Sequence, residues 1–291
     1  MTNLLISVCL ITPLAALTTT VNYIGNANVP LIVLDNLLDH HSYETLRNNL
    51  RHNNSHFAAA FNGFPGHTSP ITRAVLDPIL DALLTSNSLT DIFPATIFNP
   101  HHREHVRGFA SILCDSGIIH SDEDMNAHQL LLQHGIVPPA AVFYFGFDGA
   151  SNVKNDENVT APTGTAFYRE KCSGLERMTT VDDGETETEF CLLHPTSVRC
   201  GLNEVNSNDI NFEEISRVVS KPNRLAMYPQ DLLHNAFVEV EVEVGEHEEG
   251  EVEVLPCSPE TGRLAISLFF LSCKNLNDDI DWQCVLHGLE L

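Results

Sequence analysis

Positive charge is what this chain has least of: 15 Lys plus Arg stand against 39 Asp plus Glu, for a formal net charge of -24. A field of that sign repels phosphate backbones and the anionic leaflet of a membrane, which argues against nucleic acid as a partner. It could steer a basic substrate, although a solvated acidic surface is the plainer reading. Long apolar runs are missing too. Leu4 to Leu17 is uncharged and apolar, the length of a signal-peptide core and short for a bilayer span, so no stable membrane insertion is expected. No Lys or Arg precedes that run, which leaves two readings of residues 1–20: a signal peptide cleaved near Ala15 and Ala16, or an N-terminal apolar segment buried in the fold. The first places the protein in the secreted or endomembrane-lumen space, the second in the cytoplasm.

Cysteines do not decide between them. There are eight, at 9, 114, 172, 191, 200, 257, 273 and 284, and cleavage of a leader would remove Cys9 and leave an odd number. Cys191 and Cys200 flank a short Pro-containing loop and are the pair the sequence favours. The sequons at Asn53 and Asn158 would be usable only in a secretory compartment.

Residues 21–291 read as a single domain, since 43% hydrophobic residues in a chain of 291 suffice for one substantial core. Val29 to Leu34 predicts a buried strand. Asp39 to Arg51 predicts a helix with Tyr43, Leu46 and Leu50 on one face; Ile71 to Leu84 predicts a second, with Ile71, Val75, Ile79 and Leu83 aligned and Pro78 as a blemish. From Arg107 onward short apolar runs (109–114, 140–147, 165–168, 224–228, 235–244, 263–271) are separated by Gly, Pro, Asn and Asp. That spacing predicts a β-sandwich or barrel. The polar stretches 149–163 and 171–220 are expected to be exposed loops. Val and Glu alternate from Val238 to Val254 around a Gly-containing turn, which predicts an acidic hairpin insertion at 238–255 whose Glu face is wet or matched by cations.

Gly117-Ile-Ile-His120-Ser-Asp122 sets an imidazole and a carboxylate two residues apart at the end of an apolar run. In extended backbone, residues i and i+2 project to the same side, so one metal ion can be reached by both. Among 15 His, such a pair arises easily by chance, and an exposed pair is the plainer reading of it alone. Three further features arrive in order. Thr163-Gly-Thr-Ala-Phe-Tyr168 follows the strand 141–147. Asn223-Arg-Leu-Ala-Met-Tyr228 leads through a turn to His234. Arg263 then heads the apolar strand 264–271, where a buried guanidinium needs an anionic partner.

Together these residues resemble the Fe(II)/2-oxoglutarate-dependent oxygenase superfamily, on its prolyl-4-hydroxylase-like side. More narrowly, they resemble a little-characterised domain family of that superfamily with a Pro-Gly turn, His-x-Asp, Gly-Thr-x-Phe-Tyr, Asn-Arg-Leu and a final Arg-Leu strand. The resemblance extends from about Val29 to Leu271. It implies a mainly β fold with flanking helices, a double-stranded β-helix (jelly roll), in which His120, Asp122 and His234 hold Fe(II) and leave positions open for 2-oxoglutarate and O2. It implies that Arg263 grips the remote carboxylate of 2-oxoglutarate bidentately, and that decarboxylation to succinate drives hydroxylation of a small molecule or a protein side chain.

One residue departs from the pattern. In much of the superfamily the residue two after the Arg carries a hydroxyl that shares the carboxylate, and here that position is Ala265. Ser267, two further along on the same face, and Tyr144 on the neighbouring strand are the candidates to replace it. The 29-residue interval from His234 to Arg263 is also long, and the acidic hairpin accounts for it.

Glu123 and Asp124 could ligate in place of Asp122 but lack its i, i+2 relation to His120. His128 and His134 read as surface residues, and His40-His41 and His101-His102 have no partner carboxylate at a telling spacing. Tyr168 and Tyr228 read as core or pocket-wall aromatics; Asn223 and Arg224 would either line a substrate mouth or satisfy a strand end. Two other functions stay open: a catalytically inactive jelly-roll binding module, and a cupin-like metal enzyme that does not use 2-oxoglutarate and in which Arg263 is structural.

Overall fold

The computed structural model describes residues 16–52, 57–59, 66–85, 103, 106–114, 116–117, 119–120, 122, 138–146, 163–171, 174–177, 212–238 and 262–270. Residues 1–15, the sequons, Cys191, Cys200, His101, His102, Glu123, Asp124, His128, His134 and all of the acidic hairpin beyond Val238 lie outside them.

Within the described residues the chain forms β1 (Thr18–Ile24), β2 (Val29–Asp35), α1 (His40–His52), β3 (Ala58–Ala59), β4 (Gly66–Pro70), α2 (Arg73–Thr85), β5 (Arg107–Leu113), β6 (Pro139–Tyr144), β7 (Thr163–Glu170), β8 (Phe212–Val219), β9 (Arg224–Pro229), β10 (His234–Val238) and β11 (Arg263–Phe269). All pairings between these strands are antiparallel. An eight-stranded sheet runs β1-β2-β9-β6-β11-β5-β4-β3, and a three-stranded sheet runs β10-β7-β8. The segment through His120 extends the smaller sheet beyond β10, because Gly117 N donates to Ala236 O and His120 exchanges backbone hydrogen bonds with His234. The centre of the large sheet, β9-β6-β11-β5, thus faces a layer ordered β8, β7, β10 and the His120 segment. This is a double-stranded β-helix with two flanking helices.

Alternation along the central strands explains the layering. Leu264, Ile266 and Leu268 of β11, Phe143 of β6 and Leu225 and Met227 of β9 join Tyr43, Leu46 and Leu50 of α1 and Leu76, Ile79 and Leu83 of α2 in one core on the helix side. Their neighbours in sequence, Ala265, Val142, Tyr144, Ala226 and Tyr228, pack on the other face against Phe167 of β7 and Val218 of β8. The period of two in each strand therefore assigns one set to the helices and the other to the space between the sheets. Asp39 starts α1, its Oδ1 accepting the Ser42 N–H at 3.0 Å. Pro78 is accommodated inside α2.

Two elements differ from the expectation. β8 lies in the stretch 171–220 read as loop; its residues are largely exposed, and a bulge between Phe167 and Tyr168 of its partner breaks the alternation that would have marked it. β1 begins at Thr18, inside the interval read as leader or apolar segment, and is recruited by pairing with β2. Cys114, just past β5, is disulfide-bonded. No helix among the described residues is long and apolar enough to cross a membrane.

Candidate metal centre

His234 opens β10 directly after a tightly held turn. Gln230 donates its side-chain amide to Pro139 O and Phe270 O at 3.0 and 3.1 Å, and Asp231 pairs with Arg177 at 2.7 Å. The turn's backbone also fixes the other ligand strand, since Asp122 N donates to Gln230 O at 2.9 Å. His120 and His234 face each other through reciprocal N–H to O bonds of 2.9 and 2.8 Å. Both imidazoles and the Asp122 carboxylate consequently converge, with one ligand atom from each lying within 4.8 Å of the others.

The contacts have the polarity that a cation needs. The His234 Nδ1 lies 2.8 Å from Leu232 O, which can only accept, so Nδ1 carries a proton and Nε2 is the ring nitrogen turned to the site. That Nε2 is 3.4 Å from Asp122 Oδ2, and His120 Nε2 is 3.7 Å from Oδ1. Burial alone would push the Asp122 carboxyl up, but His234 and His120 together hold it well below the usual carboxylate range. Tyr228, fully buried, donates its hydroxyl to Asp122 Oδ2 at 3.4 Å. His120 is 40% exposed against 5% for His234, so the site opens to solvent on the His120 side.

The same cavity is lined by Arg263, Ser267 and Phe269 of β11, Ser111 and Phe109 of β5, Val142 of β6 and Thr165 of β7. Arg263 is 2% exposed and reaches across to the smaller sheet, donating Nη2 to Gly164 O at 3.1 Å. Its Nε has no hydrogen-bond partner, and no carboxylate among the described residues pairs with it. Burial pushes the guanidinium's pKa down, and the neighbouring Tyr144 and Tyr228 oppose that. Tyr144 lies with its ring 5.1 Å from the guanidinium carbon and its hydroxyl 2.7 Å from Thr165 Oγ1; burial raises its pKa, so the phenol is neutral. A buried guanidinium without an acid beside it is costly, and a bound anion would supply the missing charge.

Comparison with known proteins adds context. A sequence model of a family of unknown function (DUF6445) matches residues 159–270, which include His234 and Arg263. No curated protein matches the chain. Among solved structures, the Pseudomonas putida prolyl-4-hydroxylase is similar at 9% identity and TM-score 0.42, over 84% of this chain and 93% of that one. HygX from Streptomyces hygroscopicus, with nickel and 2-oxoglutarate bound, is similar at 12% identity and TM-score 0.43, over 83% and 82%. A prolyl 4-hydroxylase structure from Phytophthora capsici is similar at 11% identity and TM-score 0.37, over 89% and 68%.

The structure brings His120, Asp122, His234, Arg263 and Ser267 to one cavity, with Tyr144 behind Arg263. It separates others from it. Asn223, at φ 58°, clamps Leu38 with both side-chain atoms, and Arg224 forms a two-armed pair with Asp35, so both satisfy strand ends. Tyr168 bonds to Asn235 on the far side of the small sheet, with its hydroxyl pKa pushed up to about 12 by burial. His40 and His41 are exposed on the first turn of α1. Sequence reasoning missed Thr165 and Ser111. The signal for Ser111 was one hydroxyl inside the apolar run 109–114; Thr165 had the alternation that aims Phe167, two residues on, at His234.

Proposed function

We propose that the protein is an Fe(II)- and 2-oxoglutarate-dependent dioxygenase that hydroxylates its substrate. The observation that carries this reading is the pairing, in one cavity, of a two-His, one-carboxylate cluster with a buried Arg263 that has no acidic partner among the described residues. Two neutral imidazoles and one carboxylate suit ferrous iron and fill one face of it, leaving positions for a chelating 2-oxo acid and O2. Bound iron supplies the redox chemistry by which O2 and 2-oxoglutarate convert a C–H bond to C–OH, with succinate and CO2 as the co-products.

The chain's own residues do the rest. Leu232 O fixes the ring orientation of His234, and Tyr228 takes one lone pair of Asp122. Arg263 supplies a fixed charge at the closed end of the cavity, suited to the distal carboxylate of 2-oxoglutarate. Phe109 and Phe269, stacked 5.9 Å apart, give the open end an apolar wall. A cupin-like enzyme without a 2-oxo acid would leave Arg263 buried and uncompensated, which favours the cosubstrate-dependent reading.

The test is anaerobic addition of Fe(II) and 2-oxoglutarate to the metal-free protein. A visible charge-transfer band of the chelated complex is expected. Its absence from folded protein would sink the proposal, and an unchanged 2-oxoglutarate affinity in Arg263→Ala would remove Arg263 from it.

A further inference from the structure

The eight-stranded sheet ends at β1, and nothing among the described residues pairs with the outer side of that strand. An open edge is a row of unused N–H and C=O groups, which proteins usually blunt by shortening it, charging it or covering it. The other edges follow that rule. β3, at the opposite end of the same sheet, has two residues; β8 carries Glu213, Glu214 and Arg217; β10 is covered by the His120 segment. β1 has seven residues, Thr-Thr-Thr-Val-Asn-Tyr-Ile, with no charge and no proline, and it pairs with β2 without a shift of register. It is the one long edge left unprotected among the described strands.

Charge selects the occupant. The chain has a formal net charge of -24, so two copies repel, yet no Asp, Glu, Lys, Arg or His occurs before Asp35. The acids at the two ends of β1 are matched: Asp35, opposite Thr18, pairs with Arg224, and Glu176, at the β1–β2 turn, pairs with Arg169. Apolar surface gathers here too. Tyr23 is 64% exposed and Leu17, just before β1, is 41% exposed, two of the three exposed large hydrophobic residues among the described ones.

The strand is also complementary to itself. Antiparallel pairing about Val21 sets that residue against its own copy, Tyr23 against Thr19, and Thr20 against Asn22. Those pairs join aromatic with β-branched and polar with polar side chains, and place no like charges together. A twofold arrangement uses both copies of the edge at once and closes the assembly.

We infer that β1 is the contact of a twofold dimer: two copies of this chain join β1 to β1, antiparallel, in one sheet continuous across both subunits. The cavity is centred on β6, β11 and β5, with β2 and β9 between them and β1, and the inference stands apart from the function proposed above.

Sedimentation velocity of the full chain, over about a hundredfold range of micromolar concentration, should show a monomer–dimer equilibrium. Thr20→Lys with Asn22→Lys, both at exposed positions, sets like charges opposite each other across the contact. It should weaken dimerisation about tenfold or more, even though it lowers the net negative charge. Thr20→Glu with Asn22→Glu should weaken it likewise, and an equimolar mixture of the two double variants should restore a dimer of mixed composition. If either double variant melts early, Tyr23→Lys is measured in its place with a loss expected. A wild type that stays monomeric overturns the inference. Slow hydrogen exchange at the outward β1 amides of such a monomer would mean that the same chain covers the edge; fast exchange would leave it to a strand of another protein. A dimer that the lysine substitutions leave unchanged overturns the inference as well, and so does a mixture of folded variants that fails to associate.

Discussion

Tyr228 directs its hydroxyl hydrogen at Asp122 Oδ2 from a position 1% exposed, where no other acceptor competes for it among the described residues. Its ring packs on Phe167 and His234 at centroid distances of 5.1 and 4.8 Å, contacts that Tyr228→Phe would retain. The variant should therefore melt close to the wild type while binding metal about tenfold more weakly, the low end of what loss of a ligand's supporting hydrogen bond costs. A Co(II) titration read in the visible region checks this; equal affinities in two folded proteins would show that the bond does not orient the carboxylate.

Metal should also stabilise the whole domain, because the ligands come from the His120 segment and from β10, which must be paired for the cluster to exist. Zn(II) at a hundred times its dissociation constant adds about 2.7 kcal/mol. For a domain of this size that is a rise in Tm of roughly 5 °C, reversed by chelator. His234→Ala should abolish the rise, and a shift that persists in it would locate the stabilising metal elsewhere.

Asp35 and Arg224 are cross-strand partners on β2 and β9 and pair through both arms, at 2.6 and 2.8 Å. The hydrogen bond from Arg224 holds the Asp35 carboxyl below its ordinary value. A depressed folded-state pKa gives stability that is present above the unfolded value, near 4, and is lost as pH falls through the folded value. Asp35→Asn should thus be less stable than wild type at pH 6, with the gap closing below about pH 4. Thermal melts across that range decide it; a gap independent of pH would mean that the charge of Asp35 contributes nothing.

Glu176 is a buried carboxylate that accepts the N–H groups of Asn26 and Ala27 at 2.8 and 3.2 Å and pairs with Arg169 at 2.7 Å, tying the β1–β2 turn to the end of β7. Gly25 precedes those two donors at φ +68°, and a Cβ there would strike the Glu176 carboxylate. Gly25→Ala combines backbone strain with that collision and should cost about 2–3 kcal/mol, visible as a lower urea midpoint. A cost under half a kcal/mol would show that Glu176 can move aside freely.

Strands whose apolar residues alternate or run continuously were legible in the sequence, as were both helices, because burial on a fixed face leaves a period that survives without coordinates. That His120 and Asp122 point to one side follows from their i, i+2 spacing in one extended segment, whereas grouping His234 with them came from the resemblance and not from spacing. What could not be read was anything decided by register between strands. Nothing in the sequence says that Ser111 lies opposite Ala265, or that the Tyr144 hydroxyl is taken by Thr165. Arg224 illustrates the same limit, since its partner Asp35 is chosen by the pairing of β9 with β2.

β11 is flanked on both sides, by β5 and by β6, and sends Arg263, Ala265 and Ser267 one way and Leu264, Ile266 and Leu268 the other. A frame of two ladders around one strand makes the site vulnerable to length as much as to identity. One residue inserted between Leu264 and Ile266 would turn the guanidinium toward the helices and Leu264 toward the cavity, with His120, Asp122 and His234 still in their places.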